Sequence, residues 1–222
     1  MNKSKQKAML VTDFNKQVLD FKDKRDSTIP RYASWDFCYE YFYHNQGKLG
    51  GVNLQTSCMQ LWSYLASLGM IVRGNELQKN NYACLVDVVK YINVHQQYYQ
   101  IHLSDNVYIN DMMTLYNEFD NALNLQSQKN RKTLITKIML GVYGCCPAFD
   151  SRFCKTFGLL TKGKLTVENL KKVQNFYFNN QKVIDIINIQ TLSFGKQKKK
   201  HLKYPTAKLI DMYGFNKNSK IF

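Results

Sequence analysis

The sequence predicts an all-α fold, and three observations support this prediction. Apolar residues recur at helical spacing through most of the chain. The strict alternation of apolar and polar residues that is typical of half-buried strands is scarce. Glycine, proline and capping residues separate the apolar segments at intervals that suit helices. With 222 residues and 45% hydrophobic content, the chain is long enough for one substantial core or for two helical lobes that share a cleft.

The N-terminal half contains five predicted helices. The first lies in a polar N-terminal lead, residues 1–30, and the rest of the chain, residues 31–222, is predicted to form a single helical domain. Ser34 is the predicted cap of the second helix, which carries an aromatic stripe, and Asn53 opens the third and longest. Polar links precede the fourth and the fifth. The five helices cover about residues 10–21, 34–42, 53–69, 82–94 and 110–123.

The C-terminal half contains four predicted helices. The first is apolar on every side and ends at Gly144. Pro147 suits the first position of the second, which stops at Gly158. Thr166 caps the third, and a basic linker over 196–203 precedes the last. They cover about residues 133–143, 147–157, 166–178 and 205–213.

The distribution of charge points to a polyanionic partner. Residues 1–150 carry a net charge of +3, whereas residues 151–222, the basic C-terminal region, carry +12. Lysines and arginines that neutralise phosphates release counterions, so such a concentration favours nucleic-acid binding, with duplex DNA as the predicted partner. A solvated basic surface or an anionic membrane surface are the alternatives.

The sequence carries no targeting or metal signature. No stretch approaches the roughly 20 apolar residues that span a bilayer, and the apolar run Ala8–Val11 is too short for a signal peptide. We therefore expect a cytoplasmic monomer without a membrane partner. The six cysteines form no CxxC pair and the four histidines are scattered, so we expect no metal and no cofactor. The cysteines are predicted to be reduced and packed as small hydrophobic residues.

The most informative window covers residues 130–157, NRKTLITKIMLGVYGCCPAFDSRFCKTF. It predicts a turn that bears Arg131 and Lys132, a buried helix, a short loop, and a helix with Asp150 in its first turns. The dipole at a helix N-terminus stabilises an ionised carboxylate. The window therefore predicts that Lys132 and Asp150 face each other at one end of a helical pair.

This window resembles the core of the helix-hairpin-helix (HhH-GPD) DNA glycosylase superfamily, the group of endonuclease III and the adenine glycosylases. Arg131-Lys132-Thr133 stand where the family has R-K-T, and Asp150 follows Lys132 by the 18 positions found in the endonuclease III branch. Pro147-Ala148-Phe149-Asp150 resembles the segment that introduces the catalytic aspartate of the adenine glycosylases. The chain also resembles a group of uncharacterised bacterial proteins in LWSYLASLGM and TKIMLGVYGCCPAFD.

The resemblance implies two lobes with a helix-hairpin-helix-like element and a catalytic helix over 125–158, beside a central cleft. It implies a DNA glycosylase that flips a damaged or modified base and cleaves its N-glycosidic bond, in repair or in defence against modified phage DNA. Asp150 would stabilise the positive charge that develops on the sugar, and Lys132 would form a Schiff base if the enzyme also nicks the strand. The family's hairpin glycines are replaced by LQSQKN, and its four cluster cysteines are absent, which implies a cluster-free branch.

Further residues are predicted to contact DNA. They are Arg73, Arg131, Thr133, Arg152 and Lys155, with Lys137 as a candidate that lies on an otherwise apolar helix. Tyr64 and Met70 are predicted core residues rather than a base-stacking surface. Two other functions stay open: a non-catalytic nucleic-acid-binding protein of the same fold, and a helical RNase or toxin. Asp150 has a purely structural alternative too, as a partner of its helix dipole or of Arg152.

Overall fold

The structure, a computed structural model, describes residues 3–27, 30–72, 76–125, 131–194 and 201–218; for residues 3–12, 30 and 76 it describes the backbone alone. Within these ranges the fold is all-α, as predicted, with one isolated antiparallel bridge between Gln190 and Lys203. The helices are α1 (Lys3–Asp26), α2 (Ser34–His44), α3 (Leu54–Ser67), α4 (Val86–Val94), α5 (Tyr108–Ala122), α6 (Lys132–Val142), α7 (Ser151–Thr156), α8 (Val167–Ile184) and α9 (Thr206–Lys217).

The first helix belongs to the core, which corrects the predicted separation of residues 1–30 as a polar lead. Phe14, Val18 and Phe21 lie on one side of α1 at helical spacing and are buried. They pack against α9, the last helix of the chain. The two ends of the sequence therefore share one hydrophobic core, because α1 can bury its apolar stripe only against another helix.

A buried ionic cluster joins α1 and α2 to the segment before α9. The Oδ1 atom of Asp36 accepts hydrogen bonds from the Tyr204 hydroxyl at 2.6 Å and from the Leu192 amide at 3.0 Å. The Arg25 guanidinium lies 3.4 Å from the same oxygen and donates to the Gln190 carbonyl at 2.8 Å. Since Asp36 is fully buried, this cluster fixes the position of α2 relative to α9.

The segment between α6 and α7 is extended, which corrects the helix predicted from Pro147. Helix α6 ends as expected before Gly144, which adopts a left-handed φ of 64° where a Cβ atom would meet Pro205 at 2.5 Å. Beyond it the amide of Ala148 donates to Asp211 Oδ1 at 3.1 Å, and the amide of Phe149 donates to Thr136 Oγ1 at 2.9 Å. Side chains of α9 and α6 thus satisfy the amides that a helix would have used.

The fold places α6 at the centre of the molecule. Every residue of α6 except Thr133 is buried, and the helix packs against α2, α3 and α5. Helices α7 and α1 both pack against α9. Within the described part of the chain, none of the helices is both long and apolar enough to cross a membrane.

Candidate active site

Asp150 is the N-cap of α7 rather than a residue inside the helix. Its backbone is extended, with φ −79° and ψ 177°, and its Oδ1 atom accepts a hydrogen bond from the Phe153 amide at 2.9 Å. The preceding extended segment is held in addition by Thr133, whose hydroxyl donates to the Phe149 carbonyl at 3.1 Å. Aspartate is among the preferred N-cap residues, so the sequence specifies this position locally.

A cavity of about 590 Å³ opens beside Asp150, and we call it the Asp150 cavity. Residues of α1, α2, α3, α6, α7 and α9 line it, together with the segments next to them. Its volume falls within the range of about 300–1,000 Å³ that is typical of small-molecule sites. Its charged lining residues are Arg31, Lys137, Asp150, Arg152, Lys208 and Asp211, and its aromatic ones are Phe21, Tyr32, Trp35, Tyr64 and Phe215.

Lys137 is the lysine of α6 that lies in this cavity. Its side chain is 8% exposed, and Nζ donates to the Leu68 carbonyl at 3.2 Å and to the Met70 Sδ atom at 3.5 Å. Burial lowers the pKa of Lys137, although the negative charges of Asp150 and Asp211 oppose this. The cavity therefore contains an ammonium group whose two hydrogen-bond acceptors are uncharged.

The two carboxylates of the cavity have different partners. Asp211 accepts from Lys208 Nζ at 3.1 Å and from the Ala148 amide, so it belongs to an ion pair. Burial raises the pKa of Asp150, and the charge of Asp211 adds to this effect. The Phe153 amide and the charge of Lys137 act in the opposite direction. Asp150 is therefore the carboxylate of the cavity that a ligand can use.

The aromatic walls of the cavity are fixed by tight packing. The ring of Tyr64 lies so close to Gly141 that a Cβ atom there would meet Cε1 at 2.2 Å. The Trp35 indole donates to the Leu140 carbonyl at 2.8 Å and stacks on Tyr39. These contacts hold the two rings in place, so the aromatic part of the cavity has a fixed shape.

Lys132 is buried away from the Asp150 cavity, which corrects the prediction that it faces Asp150 across a cleft. It is 1% exposed, is absent from the lining, and donates to the Leu160 carbonyl at 2.6 Å. Lys132 and Lys137 are five residues apart on α6, which separates them by about 140° around the helix axis. The face of α6 that carries Lys137 is turned toward the cavity, so Lys132 anchors the segment after α7 instead.

The residues that were predicted to contact DNA lie in different parts of the structure. The Arg131 guanidinium donates to the Asp120, Leu123 and Leu125 carbonyls at 3.2–3.3 Å, so it caps the C-terminus of α5. Arg152 lies at the cavity, Lys155 is exposed, and Thr133 holds the segment described above. Arg73 lies outside the described residues, as do residues 126–130 of the turn predicted over 125–132.

Several residues of the cavity escaped the sequence analysis. Lys208 and Asp211 stand three positions apart in an otherwise apolar segment of α9, which is the one local signal that they pair in a buried environment. Arg31, Trp35 and Phe215 carry no such signal, because only the packing of α1 and α2 against α9 brings them to the same cavity. Among the described residues, no group of three or more histidine, cysteine or acidic side chains could hold a metal ion.

Comparison with known proteins gives no assignment. No family model, no curated protein and no solved structure matches this chain. A functional proposal must therefore be based on the geometry of the Asp150 cavity and on the resemblance carried by residues 130–157.

Proposed function

We propose that this protein is a DNA N-glycosylase that takes a flipped damaged or modified base into the Asp150 cavity and cleaves its bond to the sugar. The observation that carries the proposal is the position of Asp150: an N-cap carboxylate, partly buried, at the wall of an aromatic-lined cavity of about 590 Å³. The proposal includes both DNA repair and defence against phage DNA with modified bases. The resemblance to the helix-hairpin-helix glycosylases supports it through the same residue.

The chemistry needs a carboxylate at this place. Cleavage of an N-glycosidic bond develops positive charge on the sugar, and an ionised carboxylate stabilises that charge most strongly where water is excluded. Burial raises the pKa of Asp150, which makes its carboxylate a better proton acceptor for an attacking water. Asp150 would thus stabilise the sugar cation and orient the water that completes hydrolysis.

The surface around the cavity suits a phosphate backbone. Arg31 is exposed, Arg152 is partly exposed, and both line the Asp150 cavity. The described part of the basic C-terminal region adds a basic surface of exposed lysines, which are Lys155, Lys162, Lys164, Lys171, Lys172, Lys182 and Lys203. Contacts of this type fix the register of DNA without reading its sequence.

The proposal is tested by base release. Purified protein is incubated with duplexes that each contain one damaged, alkylated, deaminated or hypermodified base, and free bases are identified by mass spectrometry. We expect release of at least one base together with an abasic site in the DNA. If no duplex in a broad panel loses a base, the glycosylase proposal is wrong.

A variant of Lys132 distinguishes hydrolysis from strand nicking. We expect Lys132→Gln to retain base release, since the Lys132 Nζ atom donates a hydrogen bond to the Leu160 carbonyl outside the cavity. For the same reason we expect borohydride to trap no adduct between DNA and Lys132 in the wild-type protein. Loss of a hydrogen bond from a charged group, typically about 1.5–3 kcal/mol, is expected to lower the stability of Lys132→Gln rather than its rate of base release. A trapped adduct that disappears in Lys132→Gln would show that Lys132 is the nucleophile.

The basic surface by itself favours a second function, a non-catalytic nucleic-acid-binding protein. Both functions predict duplex binding that weakens steeply with salt, by roughly 0.9 logarithmic units for each phosphate contact and tenfold step in salt. Only the glycosylase predicts base release. Salt-dependent binding without release from any duplex would therefore favour the binding protein, and binding insensitive to salt would contradict both.

A further inference from the structure

Four of the five aromatic residues that line the Asp150 cavity carry a cation of the protein over the ring; the exception is Tyr64. A cation over an aromatic face is attracted by the negative centre of the ring, so an occupied face has little left to offer a second cation. The contacts, measured to ring centroids, are Arg31 over Tyr32 at 5.3 Å, Arg152 over Phe215 at 4.6 Å, and Lys208 over Phe21 and Trp35 at 4.9 and 5.1 Å.

The charges of the cavity are also unfavourable for a cationic ligand. Among the described lining residues, four cations face two carboxylates. One of these carboxylates, Asp211, is neutralised by Lys208 at 3.1 Å. The remaining described charges of the lining are the Asp150 carboxylate and the cations Arg31, Lys137 and Arg152, so their formal net charge is positive. Lys137 is buried, so its charge is screened less by water than those of the exposed Arg31 and the partly exposed Arg152.

Lys137 is suited to contact an oxygen atom of a ligand. An ammonium group has three N–H donors, and one of the two acceptors here is the Met70 thioether, which is a weak acceptor at 3.5 Å. A carbonyl oxygen is a stronger acceptor than sulfur, and one that gains negative charge is stronger still. A ligand oxygen that displaces the sulfur would therefore gain a charge-assisted hydrogen bond.

We propose that the Asp150 cavity selects uncharged bases that bear a carbonyl oxygen, that it excludes cationic alkylated bases, and that Lys137 determines this specificity by donating a hydrogen bond to the oxygen. This inference rests on the proposed glycosylase function and names its substrate class. Uracil, hypoxanthine and oxidised purines belong to the class, whereas 3-methyladenine does not.

Lys137 acts on the departing base. As the bond between C1′ and the base nitrogen breaks, both electrons go to the base, and its negative charge spreads onto the carbonyl oxygen, which the Lys137 ammonium stabilises. Water adds its oxygen to C1′ and gives a proton to Asp150. The base anion takes up one proton from water, and Asp150 returns its proton to water, so that the products are a neutral base, an abasic sugar and the ionised carboxylate.

The test compares single-turnover release of uracil, hypoxanthine and 3-methyladenine from matched duplexes. We expect release of a carbonyl base and none of 3-methyladenine, and a decrease of about 10²-fold for the carbonyl base in Lys137→Met. Lys90→Met is the control, since Lys90 is exposed on α4 and paired with Asp87 at 3.1 Å. Lys137→Met removes a buried charge with uncharged partners, so thermal unfolding should show a fold at least as stable as that of wild type.

The outcomes separate the two proposals. Release of 3-methyladenine at a rate similar to uracil, or an unchanged rate in Lys137→Met, overturns the inference and leaves the glycosylase in place. If no base is released, the glycosylase proposal fails. Free uracil is then titrated into wild type and Lys137→Met, both carrying Trp62→Phe so that the fluorescence comes from Trp35, which lines the cavity. Uracil binding that needs Lys137 supports the selectivity; binding equal in both proteins, or absent from both, overturns it.

Discussion

Asp150→Asn is expected to lower base release by about 10²-fold or more while leaving the protein folded and bound to DNA. The amide keeps the size of the side chain but cannot stabilise positive charge on the sugar, and loss of such stabilisation typically costs this much. Asparagine is as good an N-cap as aspartate, so the hydrogen bond from the Phe153 amide can persist. DNA affinity should be equal or higher, because one negative charge near the phosphates is removed.

Single-turnover base release and duplex affinity measure these two expectations separately. Asp87→Asn is the matched control, since Asp87 is an exposed carboxylate of α4 outside the Asp150 cavity. Release by wild type should also increase with pH as Asp150 ionises, at a pH above the ordinary range for aspartate because burial raises the pKa of Asp150. Full activity of Asp150→Asn on any released base would remove this site from the mechanism.

The stability of the protein should depend on pH through Asp36, whose carboxyl group is fully buried. Burial raises the pKa of Asp36 to about 6 from its usual 3.8, even though Tyr204, Arg25 and the Leu192 amide stabilise the carboxylate. The Oδ2 atom of Asp36 has no hydrogen-bond donor among the described residues, which explains why the donors to Oδ1 offset only part of the cost of burying the carboxylate.

Protonated Asp36 favours the folded state, so its contribution is fully present below about pH 4 and is lost as the pH rises through about 6. A difference of about two units between the folded and unfolded pKa values of Asp36 corresponds to roughly 3 kcal/mol in the free energy of unfolding. We expect Asp36→Asn to remove this loss of stability at rising pH, because the asparagine side chain can still accept the hydrogen bond from the Tyr204 hydroxyl and cannot ionise. Urea unfolding at several pH values between 4 and 7 measures the difference between the two proteins.

Asp26→Asn provides a control of opposite sign at the same arginine. Burial raises the pKa of Asp26, but hydrogen bonds from Arg25 and Lys22 outweigh this effect and lower the pKa overall. Asp26 therefore stabilises the folded state at pH values above its unfolded pKa, and this stabilisation is lost at acid pH. An Asp36→Asn protein whose stability still falls between pH 4 and 7 as in wild type would contradict the assignment to Asp36.

Local patterns in the sequence were sufficient to predict the fold class and most helix positions. Helical spacing of apolar residues is a local property, and Thr166 and Gly144 act within a few residues of the helices they limit. The predicted cap Ser34 is instead the first residue inside α2, whose N-cap is Ala33 without a side-chain hydrogen bond. The resemblance of residues 130–157 also singled out Asp150, because the aspartate and its surroundings are contiguous in the chain. The net charge of +12 in residues 151–222 is equally a property of composition.

Which side chains share the cavity with Asp150 depends on long-range packing and could not be predicted from the sequence. Lys132 and Lys137 lie on one helix, and the spacing to Asp150 favoured Lys132, but the packing of α6 against α2 and α3 turns Lys137 toward the cavity. The extended backbone before Asp150 depends on Asp211, which is 61 positions away from it. Contacts of this kind arise when α1 and α9 close the core from opposite ends of the chain, and no local pattern in a single sequence encodes that distance.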